Sequence, residues 1–212
     1  MRIPLWLLAA AVTTACPSVP PDDDDSAPGV PTDAPPCASW FPGAALGTVA
    51  DPEFDELSGL AASRTTAGLW THEDSGADSV LIHLDRSGAT LGTATLAGVV
   101  AVDNEDLALG RCGGEPAPDD GGPTCLVLGD IGDNTETRSE IALHRVREPD
   151  VAGLSRPFDL DLETETVRVQ YPDGPQNAEG LVLEPDGSPV LITKRTDGLG
   201  KLYRVPAIGW GA

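Results

Sequence analysis

The sequence predicts an all-β fold built from sheets of four strands. Three times along the chain a glutamate leads into a short alternating apolar run, at Glu56, Glu105 and Glu179. Each run is followed by further short strand-like segments that turn residues separate. No segment has a convincing amphipathic helical pattern. Self-similarity at a spacing of tens of residues is typical of arrays of one repeated structural unit.

The segments fall into three units. The first contains residues 57–63, 68–73, 79–86 and 89–96, the second 105–111, 125–129, 141–147 and 166–171, and the third 179–183, 189–194 and 201–205. This grouping predicts a β-propeller of four-stranded blades with about three blades present. Because propellers have about four to eight blades, the ring is expected to be incomplete. The alternatives are closure by association of several chains and a compact β-sandwich.

The third segments of the first two units carry His83 and His144 within alternating runs. Their position predicts half-buried strand residues and not catalytic bases.

Residues 1–16 are interpreted as a lipoprotein-type signal peptide. A positive start at Arg2 precedes an apolar stretch too short to span a bilayer, and the stretch ends in Thr-Thr-Ala before Cys16. Small residues before a cysteine resemble the lipobox of bacterial lipoproteins. We therefore expect Cys16 to carry the lipid that anchors the chain to a bacterial membrane, outside the cytoplasm. The alternative is ordinary signal cleavage, with Cys16 incidental.

Residues 17–52 predict a disordered tether, and residues 53–212 the partial propeller domain. The tether is rich in Pro and Asp and cannot bury enough apolar area to offset its ordering entropy. The whole chain has 34 acidic and 13 basic residues and a net charge of −21. Without clustered Lys and Arg, nucleic acid is excluded as a partner, and cations such as Ca²⁺ are favoured.

With Cys16 lipidated, three of the four cysteines remain to be assigned. Cys112 and Cys125 flank a polar loop between two strand-like runs, so a disulfide is predicted there, which suits an extracytoplasmic location. Zinc binding is the competing use of cysteine, but no CxxC pairing or nearby histidine supports it. Cys37 has no partner in view, which indicates that part of the protein is missing.

Acidic residues cluster at the ends of the predicted strands. The segment Gly-Asp-Ile-Gly-Asp-Asn offers oxygen ligands at Asp130, Asp133 and Asn134, the groups that Ca²⁺ prefers. The alternative is an Asx-type turn with glycines at positive φ. Further candidate ligands are Glu105, Asp106 and Glu179. In a propeller they would approach the central channel or its rim, together with Glu56, Asp74 and Lys194.

Five segments together resemble a family of secreted bacterial β-propeller lipoproteins that are distantly similar to β-propeller phytases and phytase-like esterases. They are Glu-Leu-Ser-Gly-Leu from Glu56, Glu-Asp-Ser-Gly from Glu73, Asn-Glu-Asp-Leu-Ala from Asn104, the Gly-Asp-Ile-Gly-Asp-Asn segment, and Asn-Ala-Glu-Gly-Leu from Asn177. The resemblance covers roughly residues 54–206. It implies a propeller of about six blades, of which this chain holds the N-terminal half, and Ca²⁺ sites at Asp130, Asp133, Asn134, Glu105 and Glu179.

The sequence favours a Ca²⁺-associated module that binds a ligand or a protein partner and is not itself an enzyme. No Gly-x-Ser-x-Gly elbow, phosphate loop or HExxH motif occurs. The alternative is a Ca²⁺-dependent phosphoesterase in which Asp130, Asp133, Glu105 and Glu179 hold metal and water is the nucleophile. A third alternative is a non-functional fragment of a truncated gene.

Overall fold

The computed structural model describes residues 44–74, 78–112, 122–196, 198–206 and 210. The predicted signal peptide, the lipidation at Cys16, most of the predicted tether and Cys37 lie outside the described residues. In the part of the chain that is described, no helix is long and apolar enough to cross a membrane.

The described residues form twelve strands and no helix, which confirms the all-β prediction. The strands are β1 (Leu57–Ala62), β2 (Leu69–Glu73), β3 (Asp78–Leu84), β4 (Thr90–Val100), β5 (Asn104–Arg111), β6 (Thr124–Asp130), β7 (Ile141–Arg147), β8 (Phe158–Leu162), β9 (Glu165–Val169), β10 (Ala178–Leu183), β11 (Pro189–Thr193) and β12 (Leu202–Arg204).

The strands form three sheets that follow the predicted units, with one correction. Sheet 1 has the order β1-β2-β3-β4-β8, sheet 2 the order β5-β6-β7-β9, and sheet 3 the order β10-β11-β12. The prediction of four strands for the first unit is wrong, because β8 pairs in parallel with β4. In sequence β8 lies between the last two strands of sheet 2, so local spacing assigned it to a connection. No closed ring of sheets is formed by the described residues.

Sheet 2 is buried on both faces. One face packs against sheet 1 in a core cluster that includes Trp70, Leu126 and Leu128, and the other packs against sheet 3 in a cluster that includes Val127 and Leu191. Because both faces are covered, β6 reads as a continuous apolar run with no polar alternation. This double burial places sheet 2 between sheets 1 and 3.

A buried carboxylate joins sheet 1 to sheet 2. Glu148 follows β7 and is only 4% exposed. Its oxygens accept hydrogen bonds from the Ser63 hydroxyl at 2.7 Å and the Arg64 amide at 2.9 Å, and from the Thr124 hydroxyl. Burial alone would raise the pKa of Glu148, but these hydrogen bonds outweigh it and lower the pKa below its usual value.

Cys112 and Cys125 are joined as predicted, with sulfur atoms 2.14 Å apart. They close the end of the β5–β6 hairpin, where Gly110 pairs with Cys125. Arg145 on β7 donates to the Cys112 carbonyl oxygen, so the neighbouring strand also holds this end of the hairpin.

All three histidines of the protein are buried, more deeply than the half-buried positions predicted for His83 and His144. His83 packs against Trp70, with ring centroids 4.4 Å apart, and neither of its ring nitrogens has a hydrogen-bond partner within the residues that the structure describes. Burial is the main cause that lowers the pKa of His72, His83 and His144. These histidines are therefore core residues in their neutral form.

We expect the buried histidines to make the fold acid-sensitive. In the unfolded chain a histidine takes up a proton near its ordinary pKa of 6.5, whereas the folded state resists protonation. Their stabilising effect is therefore present above pH 6.5 and is lost as the pH falls, by up to about 1.4 kcal/mol per pH unit for each histidine. Urea unfolding at a series of pH values measures this slope. His83→Phe is expected to reduce the slope below pH 6.5, and an unchanged slope would contradict the assignment.

Candidate metal centre

The first strands of the three sheets lie side by side and bring several strand ends together. The Ser58 hydroxyl on β1 donates to the Glu105 carbonyl oxygen on β5 at 2.8 Å. The Leu181 amide on β10 donates to the Asp106 carboxylate on β5 at 2.7 Å. The residues that begin β5 and β10 and those that end β2, β6 and β11 consequently meet at one end of the sheets.

Glu105 and Glu179 occupy equivalent positions in sheets 2 and 3. In β5 the pairing register shifts between Asn104 and Asp106, which leaves Glu105 as an extra residue. In β10 the register shifts around Glu179 in the same way. Such bulges often redirect a side chain next to a functional site. The repeated glutamate noted in the sequence therefore has a structural basis in these two sheets.

Glu56 does not occupy the third equivalent position, so its alignment with the other two glutamates is wrong. The Asp74 amide donates to the Glu56 carbonyl oxygen at 2.9 Å, just as the Lys194 amide donates to that of Asn177 at 2.9 Å. Glu56 therefore corresponds to Asn177, which lies two residues before Glu179. In β1 the register shift lies between Ser58 and Ala61, further into the strand than the shifts at the starts of β5 and β10. Glu56 therefore does not lie on a bulge.

Three carboxylates converge where sheet 1 meets sheet 2. Asp74 follows β2, Asp103 precedes β5, and Glu105 lies on the bulge of β5; one oxygen atom of each lies within 4.8 Å of the others. Asp74 Oδ1 is buried, and no donor among the described residues hydrogen-bonds to it. We call these three residues the acidic triad. An unpartnered buried carboxylate oxygen costs free energy unless a cation or a donor reaches it.

Gly132 packs against the acidic triad, where the absence of a side chain leaves room for two of the carboxylates. A Cβ atom at this position would lie 2.3 Å from Glu105 Oε1 and 2.4 Å from Asp103 Oδ2. Only a glycine lets both carboxylates approach this backbone. The second glycine of the Gly-Asp-Ile-Gly-Asp-Asn segment thus serves the triad, although the aspartates of that segment do not belong to it.

The three carboxylates of the acidic triad would repel one another if all of them were ionised. Burial is the main cause that raises the pKa of Glu105 to about 8, and Glu179, Asp74 and Asp103 add to it, whereas Lys194 opposes it. Burial and the neighbouring Asp74 likewise raise the pKa of Asp103. Glu105 is therefore protonated at neutral pH unless positive charge enters the cluster.

The donor set of the triad fits a hard divalent cation. Ca²⁺ takes about six to eight oxygen ligands, mostly carboxylates, carbonyls and water. Asp74, Asp103 and Glu105 supply carboxylate oxygens from three separate backbone positions, and none of the three is held by an arginine or lysine ion pair among the described residues. With a cation present these residues would bind it, and water or a ligand would complete its coordination.

The predicted ligands of the loop after β6 have other partners in the structure. Asp130 forms an ion pair with Arg138 at 2.8 Å and accepts the Asp103 amide at 2.9 Å. Asp133 accepts the Arg138 amide at 2.7 Å. Burial would raise the pKa of Asp133, but its hydrogen bonds within the turn lower it. Asn134 is exposed and accepts from Asn177 at 3.3 Å. The Asp133 carboxylate thus accepts hydrogen bonds within its own turn, in line with the Asx-type alternative, but neither Gly129 nor Gly132 has the positive φ that this alternative included.

The remaining predicted residues surround the triad without joining it. Asp106 accepts the amides of Leu107 and Leu181, so its carboxylate ties β5 to β10. Glu179 is paired with Lys194 at 2.9 Å. Glu56 is exposed, and its carbonyl oxygen accepts a hydrogen bond from the Asp74 amide.

Sequence reasoning did not select Asp103 as a ligand. The signal was available in the run Asp-Asn-Glu-Asp, since residues at alternate positions of a strand start lie on the same side. Glu105 was predicted as a ligand because a glutamate recurs at the same place in the next unit, Glu179. Asp103 does not recur in this way, since the equivalent residue in sheet 3 is Asn177.

No family model, no curated protein and no solved structure matches this chain.

Proposed function

We propose that this protein is an extracytoplasmic module of the β-propeller type that binds Ca²⁺ at the acidic triad and uses that site to bind a ligand or a protein partner. The observation that carries the proposal is the convergence of Asp74, Asp103 and Glu105, with a buried Asp74 oxygen to which no donor in the described part of the chain hydrogen-bonds. A bound cation would remove both the repulsion and the missing contact.

The second junction between sheets supports this assignment by contrast. The Asn104 amide donates to the Asp74 carbonyl at 3.0 Å, and the Ala178 amide donates to the Ile131 carbonyl at 3.3 Å. Ile131 thus takes the place of Asp74 where sheet 2 meets sheet 3. There Glu179 forms an ion pair with Lys194, whereas no lysine or arginine of the described residues forms an ion pair with the acidic triad.

The propeller architecture is supported by the way the sheets succeed one another. The first strands β1, β5 and β10 are neighbours, and sheet 2 buries opposite faces against sheets 1 and 3. In a propeller the first strands line a channel, and each blade packs face to face on the next. The triad would then lie at one end of that channel.

Calcium is expected to raise the melting temperature of the folded protein. At a Ca²⁺ concentration about one hundred times the dissociation constant, a single site stabilises the native state by about 2.7 kcal/mol, or roughly 5 to 10 °C. Asp103→Asn is expected to abolish most of this shift. The matched control is Asp173→Asn, which removes an exposed acidic residue paired with Lys201. An equal shift in wild type and Asp103→Asn would contradict the proposed site.

A Ca²⁺-dependent phosphoesterase is the second candidate, favoured by one observation. Lys194 is exposed, and its positive charge lies close enough to Glu105 to oppose the increase in the pKa of that carboxyl. A cation beside a metal site is suited to an anionic ester. A panel of phosphate esters incubated with and without Ca²⁺ tests this candidate. Turnover that needs Ca²⁺ and is lost in Asp103→Asn would replace the binding function with catalysis.

The lipid anchor belongs to the proposal and has its own test. We expect the full-length protein to fractionate with membranes and Cys16→Ser to be released in soluble form, because one lipidated cysteine would be the attachment point. Membrane fractionation after expression in a bacterium that processes lipoproteins measures this. Equal membrane retention of Cys16→Ser would contradict lipid anchoring at this cysteine.

A further inference from the structure

The backbone of Asp103 is held on both sides of its side chain. Its amide donates to Asp130 Oδ1 at 2.9 Å, and its carbonyl oxygen accepts a hydrogen bond from the Gly132 amide at 3.1 Å. The amide of the preceding residue, Val102, donates to Asp130 Oδ2 at 3.2 Å. Both oxygens of one buried carboxylate, which is 3% exposed, therefore hold the loop that carries Asp103 into the acidic triad.

Arg138 joins these two points of attachment. One atom of its guanidinium, Nη1, lies 2.8 Å from Asp130 Oδ1 and donates to the Gly132 carbonyl oxygen at 2.7 Å. The Arg138 amide donates to the Asp133 carboxylate at 2.7 Å, which fixes the backbone of the arginine. Hydrogen bonds that involve ionised groups are shorter and stronger than neutral ones. We call Asp130 and Arg138 the clamp.

The equivalent place in sheet 3 has no such carboxylate. Asp130 pairs with Asn104 across β5 and β6, and the residue that pairs with the equivalent Ala178 is Thr193. The Thr193 hydroxyl accepts the Lys201 amide at 2.9 Å, and within the described residues it holds no amide of the loop before β10. The clamp is thus missing from the junction that also lacks the acidic triad.

Sheet 1 has a partial version of the clamp. There Glu73 pairs with Leu57 at the equivalent place, and its carboxylate accepts the Asp55 amide at 3.0 Å in an exposed hydrogen bond. None of the ion pairs among the described residues involves Glu73. In the described part of the chain, sheet 2 alone combines a second amide and an arginine with this contact, and it does so at the loop that carries a ligand of the triad.

We propose that Asp130 and Arg138 are positioning residues of the calcium site, which hold the Asp103 carboxylate at the place where it shares an ion with the other two carboxylates of the triad. This inference rests on the proposed function. It also accounts for the Gly-Asp-Ile-Gly-Asp-Asn segment, which supplies no carboxylate to the triad. Asp130 holds the loop, Gly132 leaves room for the ligands, and Asp133 holds Arg138.

The test is a double-mutant cycle on the full chain, with Ca²⁺ titrated by calorimetry over a range that saturates each variant. Asp130→Ala is expected to weaken Ca²⁺ binding by about tenfold to a hundredfold, the usual effect of removing a group that orients a metal ligand. Because Asp130 acts through Asp103, the double variant with Asp103→Asn is expected to bind no more weakly than Asp103→Asn alone. Losses that add in the double variant would overturn the proposal.

Glu148→Ala separates positioning from a loss of stability. Glu148 is also a buried carboxylate that accepts several hydrogen bonds, but it follows β7 and lies at the opposite end of sheet 2 from Asp130. We expect this variant to be less stable than the wild type and to keep its Ca²⁺ affinity. All affinities are compared at a temperature at which tryptophan fluorescence shows each variant folded. Equal losses of affinity in Glu148→Ala and Asp130→Ala would overturn the proposal.

In Arg138→Met, charge and position have opposite effects. Burial and Asp74 raise the pKa of Asp103, and the positive charge of Arg138 opposes this increase, so it reaches the triad. Through charge alone, the loss of Arg138 would strengthen Ca²⁺ binding, whereas the loss of a positioning residue weakens it. We expect weaker binding, and equal or tighter binding would overturn the proposal.

The wild type separates this inference from the function on which it rests. A wild-type protein that binds no Ca²⁺ would overturn both. A wild-type protein that binds Ca²⁺ no more tightly than Asp130→Ala does would leave the calcium site standing and overturn the positioning role alone.

Discussion

Glu148→Ala is expected to lower the free energy of unfolding by about 3 kcal/mol. The carboxylate is buried and accepts hydrogen bonds from the Ser63 and Thr124 hydroxyls and from the Arg64 amide. Its removal leaves these partly buried hydrogen bonds without their acceptor and disconnects the β1–β2 turn from sheet 2. Urea unfolding at neutral pH, followed by tryptophan fluorescence, measures the loss.

The matched control for this substitution is Glu140→Ala. Glu140 directly precedes β7, and its ion pair with Arg168 at 2.9 Å is exposed to solvent. Exposed pairs contribute between about 0 and 1 kcal/mol, so this variant should unfold almost as the wild type does. If the two variants lost equal stability, Glu148 would not be the link between the sheets.

The stability of the Ca²⁺-free protein is expected to fall as the pH rises from about 5 to 8, through ionisation of Glu105. The pKa of this carboxyl is about 8 in the folded protein, compared with 4.5 for a glutamate in the unfolded chain. The folded state therefore holds a proton that the unfolded state has lost, and the stabilising effect disappears as the pH rises through the folded pKa. The slope is at most about 1.4 kcal/mol per pH unit.

A comparison of wild type with Glu105→Gln separates the contribution of Glu105 to the pH dependence of stability from that of the histidines. The histidines lower the stability as the pH falls below 6.5, whereas ionisation of Glu105 lowers it as the pH rises. Glu105→Gln cannot ionise and is expected to be less dependent on pH between 6.5 and 8. Chemical unfolding in EGTA at several pH values measures both proteins. Parallel pH profiles would show that Glu105 ionises normally and that the triad is not a strained acidic cluster.

The sequence predicted most strands because turn residues and alternating apolar positions are local signals. The predicted ends of β5, β6 and β7 lie within one residue of the observed ends. β8 was missed because its partner is β4, more than sixty positions away in the chain, and no local pattern encodes that pairing. The sheet that a strand joins depends on packing, and Phe158 is buried against the first core.

The candidate site was predicted only in part for a related reason. Glu105 and Asp74 were recognised because they lie at strand ends, and the structure brings them together. Asp130 looked equally suitable, but Arg138 lies eight residues further along and folds back onto it. Which carboxylates are neutralised internally depends on side-chain geometry that spacing does not reveal.

The proposed calcium site at the acidic triad is best tested by locating a bound cation in a crystal structure. Crystals of the protein grown with Ca²⁺, or with Tb³⁺ as a substitute, would show the ion by anomalous scattering. We expect an ion in contact with carboxylate oxygens of Asp74, Asp103 and Glu105, at about 2.3 to 2.6 Å. An ion bound at Asp130 or Asp133 instead, or no ion at saturating Ca²⁺, would contradict it.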